Sequence, residues 1–90
     1  MKTVKVYISG AVQGVFFRRF LEKNALALNL KGFCRNLEDK RVEIIVEGPD
    51  AKVNEMITVC RKGPRHSTVS KVEVVDMNHQ GFNNFKVLSM

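Results

Sequence analysis

The feature that most constrains this chain is a change of hydrophobic period across two glycines near its amino end. Residues 3–9 alternate apolar and polar side chains, as in a half-buried strand. Gly10 and Gly14 follow, and apolar residues then recur at the 3.6-residue spacing of an amphipathic helix over residues 17–28. The chain therefore begins with a strand, a tight loop and a helix.

Arg18 lies just beyond the second glycine, at the start of the predicted helix. The first N–H groups of a helix have no partner within it, and the helix dipole adds partial positive charge at this end. No Ser, Thr, Asp or Asn immediately precedes the helix to cap it, and a cation here is unfavourable unless an anion is bound. We therefore expect an oxyanion site, with phosphate as the leading candidate.

The rest of the chain continues to alternate strands and helices. A stripe of apolar residues at helical spacing between Pro49 and Gly63 predicts a second helix with both ends well marked. We expect a polar connector over residues 65–70. Apolar runs and alternation predict further strands at residues 33–35, 42–47, 72–77 and 85–88.

The predicted order is β-α-β-β-α-β with a short extra strand at the carboxyl end. Two helices separated by a short hairpin are typical of the split βαβ arrangement. We therefore predict an α+β fold, a ferredoxin-like α/β sandwich with an antiparallel sheet and two helices on one face. Ninety residues fit one domain, residues 1–90. Because this fold carries many unrelated activities, function must be argued from the site.

The formal net charge of +6 favours anionic partners, but it does not distinguish a small phosphorylated substrate from nucleic acid. Charged residues interrupt every long apolar run, so we expect no membrane span. The amino end has the alternation of a strand and lacks the apolar centre of a secretory signal. We expect a cytoplasmic protein.

The two cysteines and two histidines do not have the spacing of a metal site. Cys34 and Cys60 fall in separate predicted elements without a C-x-x-C motif, so we expect small buried hydrophobes, and a redox role stays open. His66 and His79 are expected at the surface of loops. We expect no metal.

Four short motifs carry a resemblance to a known family. Residues 10–18, GAVQGVFFR, resemble the acylphosphatase signature G-x-V-Q-G-V-x-F-R at every fixed position. Residues 32–36, GFCRN, resemble the family's short strand that ends in asparagine. The E-G-P at residues 47–49 and the G-P at residues 63–64 match the family's markers around the second helix. The resemblance covers essentially the whole chain.

The resemblance implies hydrolysis of the carboxyl–phosphate bond of small acyl phosphates, with inorganic phosphate as product and inhibitor. It assigns phosphate binding to Arg18 and orientation of the attacking water to Asn36. It also implies that backbone N–H groups form a phosphate cradle, contributed by Val12, Gln13, Gly14, Val15 and Phe16. The leaving group is a stable carboxylate, so neither a general acid nor a metal or cofactor is required. We expect a monomer.

Some positions depart from the family pattern. Lys40 replaces the usual hairpin glycine, so the turn is expected to differ from the common geometry, and Phe33 replaces a frequent tryptophan. Neither change falls on Arg18 or Asn36. The sequence leaves the physiological acyl phosphate open.

Two other functions are alternatives to this one. A basic ferredoxin-like module could bind RNA or another anion without catalysis, but Tyr7 and Phe33 are the only strand aromatics before the last strand and no RNP-like run is present. We therefore expect no nucleic-acid partner. The acylphosphatase-like domain of a larger carbamoyl-transfer protein is disfavoured because residues 17–20 lack the proline associated with it.

Overall fold

A computed structural model describes residues 1–14 and 16–89 of the chain. The element order matches the predicted one, which confirms the α+β fold class. The elements are β1 (Lys2–Ala11), α1 (Phe17–Ala27), β2 (Lys31–Asn36), β3 (Val42–Gly48), α2 (Asp50–Lys62), β4 (Thr68–Met77) and β5 (Phe85–Leu88).

The five strands form one sheet in the order β4-β1-β3-β2-β5. The first four are antiparallel to their neighbours, as expected, whereas β5 pairs parallel to β2 and makes the sheet mixed. Within β3, Val42 pairs with Ile8 on one side and with Asn36 on the other. Because β1 and β2 thus run in the same direction on either side of β3, their carboxyl ends lie at the same edge of the sheet.

The core lies between one face of the sheet and both helices. It buries alternate residues of β1 and β3 together with the apolar stripes of α1 and α2, as the hydrophobic periods predict. Cys34 and Cys60 are part of it, and burial raises the pKa of each thiol to about 12. Both cysteines therefore remain protonated and pack as small apolar side chains, as expected. Among the described residues, neither helix is long and apolar enough to cross a membrane.

The prediction of a polar connector over residues 65–70 is wrong in its second half. Strand β4 begins at Thr68, which pairs with Ala11, and Val69 pairs with Gly10 after a register shift in β1. Gly10 has φ 126°, and a Cβ at this position would overlap the carbonyl of Thr68. The pairing depends on a glycine, so it extends β4 through residues whose own composition indicates a loop.

Strand β3 is buried on both faces, although Glu43 and Glu47 alternate with apolar residues along it. On the face away from the helices, Glu47 is 2% exposed and binds the loop that connects β4 to β5. Its carboxylate accepts hydrogen bonds from Thr3 Oγ1 (2.6 Å) and from the N–H groups of Gln80 (2.6 Å), Gly81 (2.9 Å) and Phe82 (3.1 Å). A single carboxylate thus fixes this loop across the sheet.

These contacts determine the protonation of Glu47. Burial by itself raises the pKa of the carboxyl group, but the N–H donors, the Thr3 hydroxyl and nearby His79 outweigh it and hold the pKa at about 2. His79 is exposed, as expected, and its Nδ1 lies 3.2 Å from Oε2 of the buried Glu47 carboxylate. The charged carboxylate is therefore the stable form at all moderately acidic and neutral pH values.

We expect Glu47→Gln to lower the free energy of unfolding at pH 7 by about 2 kcal/mol, because an amide replaces a charged acceptor of several hydrogen bonds. The wild-type contribution is fully present above the ordinary pKa of 4.5 and is lost as the pH falls toward 2. The stability difference between the two proteins should therefore narrow between pH 5 and pH 2. Urea unfolding at a series of pH values measures it.

Glu73→Gln is the matched control, because Glu73 is exposed and pairs only with exposed Lys71. Glu73→Gln should change the free energy of unfolding at pH 7 only slightly. An effect of Glu47→Gln that is equally small, or independent of pH, would contradict the assigned role of the carboxylate.

The turn between β2 and β3 forms a closed hairpin without a glycine. The N–H of Leu37 donates to the carbonyl of Arg41 (2.8 Å), and the N–H of Lys40 donates to the carbonyl of Leu37 (3.2 Å). Lys40 has φ 78°, in the left-handed region that disfavours a residue with a Cβ. The turn therefore keeps a glycine-like conformation at the position where lysine replaces glycine.

We expect Lys40→Gly to raise the free energy of unfolding by about 1 kcal/mol, because glycine removes the steric cost of the positive φ. Glu38→Gly, in the same turn at a position without positive φ, should instead lower it, since glycine there only adds entropy to the unfolded chain. Urea unfolding of the three proteins provides the comparison. Equal effects of the two glycines would contradict the expected release of strain.

Candidate active site

A cavity of about 320 Å³ opens at the sheet edge where β1 and β2 end. Its volume falls at the lower end of the range found for small-ligand sites. Its wall is formed by the loop after β1, the first turn of α1, the end of β2 and the end of β5. The lining residues are Val12, Gly14, Phe16, Phe17, Arg18, Arg19, Asn36, Val87 and Ser89.

The structure brings most of the predicted site residues together in this cavity. Arg18 and Asn36 both line it, although they are far apart in sequence and belong to different elements. Of the five predicted cradle residues, Val12, Gly14 and Phe16 line it too.

The other two predicted cradle residues are Val15 and Gln13. Val15 lies outside the described residues. Gln13 directs its side chain elsewhere, to the β2–β3 hairpin.

The loop enters α1 through residues in left-handed conformations. Gly14 has φ 76°, and Phe16, the residue that precedes the first turn of α1, has φ 58° and ψ 27°. As predicted, no side chain caps the amino end of α1, and its first turn contains no acidic residue. The N–H groups at this helix end, together with the helix dipole, therefore provide donors and partial positive charge on the side of the cavity.

Arg18 is half-buried and is anchored by the last strand. One guanidinium nitrogen, Nη1, donates to the carbonyl of Leu88 at 2.8 Å. The thiol of Cys34 donates to the Arg18 carbonyl at 3.7 Å from the core side. No carboxylate among the described residues forms an ion pair with Arg18. The guanidinium is thus positioned by neutral groups and keeps its charge for an anion.

Arg19 differs from Arg18 in its exposure and in its charged partner. Its side chain is 71% exposed, and Nη1 lies 3.0 Å from Glu22 Oε1 one turn along α1. The side chain is therefore at the surface, and the residue lines the rim of the cavity. Because a carboxylate already balances its charge, Arg19 contributes less to the field inside the cavity than Arg18 does.

Gln13 connects the loop after β1 to the hairpin that carries Asn36. Its Nε2 donates to the carbonyl of Leu37 at 3.0 Å and to the carbonyl of Arg41 at 2.9 Å. Asn36 is the last residue of β2, immediately before Leu37. One amide group therefore links the loop that supplies N–H donors to the strand end that supplies Asn36.

Sequence reasoning missed this clamp and the contribution of β5. It placed Gln13 in the cradle through its backbone, without a partner for the side chain. It also treated β5 as a short extra strand, whereas Val87 and Ser89 line the cavity and Leu88 anchors Arg18. No signal in the sequence points to the clamp, because every residue carries a backbone carbonyl and both of these also accept an N–H group within the hairpin.

Comparison with known proteins identifies the family of the chain. The sequence profile of the acylphosphatase family matches residues 4–87. An acylphosphatase of Syntrophus aciditrophicus is 44% identical over 98% of this chain and 93% of its own length. The crystal structure of the acylphosphatase from Bacillus subtilis superimposes with a TM-score of 0.95 at 30% identity, covering 98% of this chain and 99% of the other.

A second solved structure gives the same result. The acylphosphatase from Coxiella burnetii superimposes with a TM-score of 0.93 at 31% identity, covering 97% of this chain and 92% of the other. The chain therefore belongs to the acylphosphatase family, and the expectation of an enzyme that hydrolyses acyl phosphates is confirmed.

We expect Gln13→Ala to lower the free energy of unfolding by about 1 to 2 kcal/mol and to weaken competitive inhibition by inorganic phosphate severalfold. Two hairpin carbonyls each lose one of their two donors, and the loop loses its fixed position beside Asn36. Urea unfolding and the inhibition constant of phosphate measure the two effects.

Gln80→Ala is the control for this experiment, since that side chain binds only the carbonyl of Asn78 at the surface. It should leave phosphate inhibition unchanged. Unchanged phosphate inhibition in Gln13→Ala would show that the clamp does not hold the loop.

Proposed function

We propose that this acylphosphatase binds the phosphoryl group of its substrate with Arg18 and the N–H groups of the loop after β1, and that Asn36 orients the attacking water. The observation that carries the proposal is the meeting of Arg18 and Asn36 in one cavity from two separate elements. The loop residues assigned to the cradle are those at positions 12–16, with Gln13 acting through its backbone and through its clamp on the hairpin.

The charge and shape of Arg18 suit a phosphoryl group. In phosphoryl transfer the charge is spread over the equatorial oxygens, so catalysis depends mainly on positioning and electrostatic stabilisation. A guanidinium has five N–H donors in a planar fork, and the bond to Leu88 occupies a single nitrogen. The remaining donors are sufficient to hold two phosphate oxygens.

The role of Asn36 follows from the reaction. Water attacks phosphorus, the new P–O bond forms, and the bond between phosphorus and the acyl oxygen breaks to release a carboxylate. Because the carboxylate is a stable leaving group, a general acid adds little. The asparagine amide offers both an acceptor and donors for hydrogen bonds, so it orients the water without taking its proton. The proton passes to the phosphate product or to solvent.

The RNA-binding alternative finds less support in the structure. The two aromatic residues on the open face of the sheet already have partners: the Arg41 guanidinium lies 4.5 Å from the centre of the Tyr7 ring, and the Phe82 ring lies 5.9 Å from that of Phe33. Base stacking requires free ring faces. We therefore propose that nucleic acid is not a partner, which RNA titration at several salt concentrations tests.

We further propose that residues 1–90 act as one monomeric domain in the cytoplasm. The single core shared by both helices and the sheet supports a single domain. Size-exclusion chromatography with light scattering tests the monomer.

We expect Arg18→Ala to lower kcat/KM for benzoyl phosphate by about a thousandfold or more and to abolish inhibition by phosphate, since both depend on the same charge. Asn36→Ala should lower kcat by about a hundredfold or more while phosphate still inhibits, because it removes the water contact and leaves the cradle. Steady-state kinetics with phosphate as inhibitor measures both.

Arg19→Gln is the control for the charge of Arg18, as it removes the neighbouring guanidinium. Its kcat/KM should stay within about threefold of the wild-type value, because the exposed and paired charge is well screened. Full activity in a folded Arg18→Ala protein would refute the proposed role of this residue.

A further inference from the structure

Phe16 is an aromatic residue in an unusual position. Its side chain is 84% exposed, more than that of any other large apolar residue among those described, and it lies at the wall of the cavity. Its neighbour Phe17 is 2% exposed and belongs to the core. Packing of the core therefore does not account for the ring of Phe16.

The backbone of Phe16 is also held in a conformation that suits glycine or asparagine better. With φ 58° and ψ 27° it occupies the left-handed region, where a bulky side chain is uncommon. Such residues cluster at ligand sites, because the surrounding structure must maintain the strain. The left-handed turn directs the chain into α1 while the exposed ring stays beside the cavity.

The cavity has two chemically different parts. Arg18, Asn36 and the helix end provide charge and hydrogen bonds for a phosphoryl group. Phe16 and the half-buried Val87 of β5 provide accessible apolar surface in the same cavity. An acyl phosphate has the same division, with an anionic phosphoryl group on one side of the scissile bond and an organic acyl group on the other.

We propose that the Phe16 ring contacts the acyl group and makes this enzyme prefer acyl phosphates with an aromatic or bulky apolar acyl group to those with a small one. The inference rests on the proposed function, since it requires the phosphoryl group to lie at Arg18. The Phe16 side chain carries a flat, rigid ring and has few rotatable bonds. It therefore offers a large contact area at little cost in side-chain entropy. It therefore stabilises an aromatic acyl group and has little to contact in an acetyl group.

The main alternative is a preference for acyl groups that carry a second negative charge, because Arg19 lies at the rim of the same cavity. However, Arg19 Nη1 already pairs with Glu22 Oε1 at 3.0 Å, and its side chain is largely in water. An exposed pair of this kind offers little net attraction to a further anion. The apolar ring is thus the stronger of the two features for selection of the acyl group.

The test compares kcat/KM for benzoyl phosphate with kcat/KM for acetyl phosphate in the wild-type enzyme and in Phe16→Gly and Phe16→Leu. Glycine removes the ring and is compatible with the positive φ, whereas leucine keeps apolar surface without an aromatic face. We expect the benzoyl-to-acetyl ratio to fall by about threefold to tenfold in Phe16→Gly and by less in Phe16→Leu. Using a ratio cancels any change in folding or in phosphoryl binding that affects both substrates.

Leu26→Ala is the matched control, because Leu26 is an exposed apolar residue of α1 outside the cavity wall. It should leave the ratio unchanged. The inhibition constant of inorganic phosphate, which lacks an acyl group, reports separately on the cradle.

An unchanged ratio in Phe16→Gly would overturn the inference, whether or not phosphate inhibition weakens. Higher kcat/KM of the wild-type enzyme for succinyl phosphate than for benzoyl phosphate would also overturn it in favour of Arg19. The proposed function fails by a different result, namely full hydrolysis of both substrates by Arg18→Ala. The two failures are therefore distinguishable.

Discussion

The pairing of Val42 with Ile8 on one side and with Asn36 on the other determines where the site forms. Because β1 and β2 lie on opposite sides of β3 and run in the same direction, the loop after β1 and the end of β2 reach the same sheet edge. Their meeting is a property of the topology, and it requires no contact between the two functional side chains. The rest of the site consists of groups that hold these two chain ends at a fixed distance.

Two side chains provide that fixation through hydrogen bonds to backbone carbonyls. Gln13 joins the loop to the hairpin, and the carbonyl of Leu88 holds Arg18 against β5. The acceptors are neutral carbonyls, so none of these hydrogen bonds reduces the positive charge that the cavity presents to an anion. None of the ion pairs among the described residues involves Arg18, and the most buried carboxylate, Glu47, is satisfied on the face of the sheet away from the helices.

The sequence predicted the features that depend on local residue patterns, namely the helices, the core and the family. It did not predict the hydrogen bonds between side chains and backbone groups that are distant in the chain. The periodicities around Gly10 and between Pro49 and Gly63 gave both helices and the core, and the motif at residues 10–18 gave the family. The predicted start of β4 was wrong, because Thr68 becomes a strand residue through its pairing with Ala11. The partners of Gln13, Arg18 and Glu47 were not predictable, since backbone groups that accept or donate these bonds have no signature in the sequence.

The anchoring of Arg18 by β5 has a consequence for the order in which the enzyme is made. A growing chain leaves the ribosome amino end first, so the loop and α1 emerge well before Leu88. Until β5 pairs with β2, the guanidinium lacks its carbonyl partner and the cavity lacks the wall formed by Val87 and Ser89. A nascent chain therefore carries the signature residues of the family without an assembled cavity, and β5, which is synthesised after the other four strands, completes the candidate site.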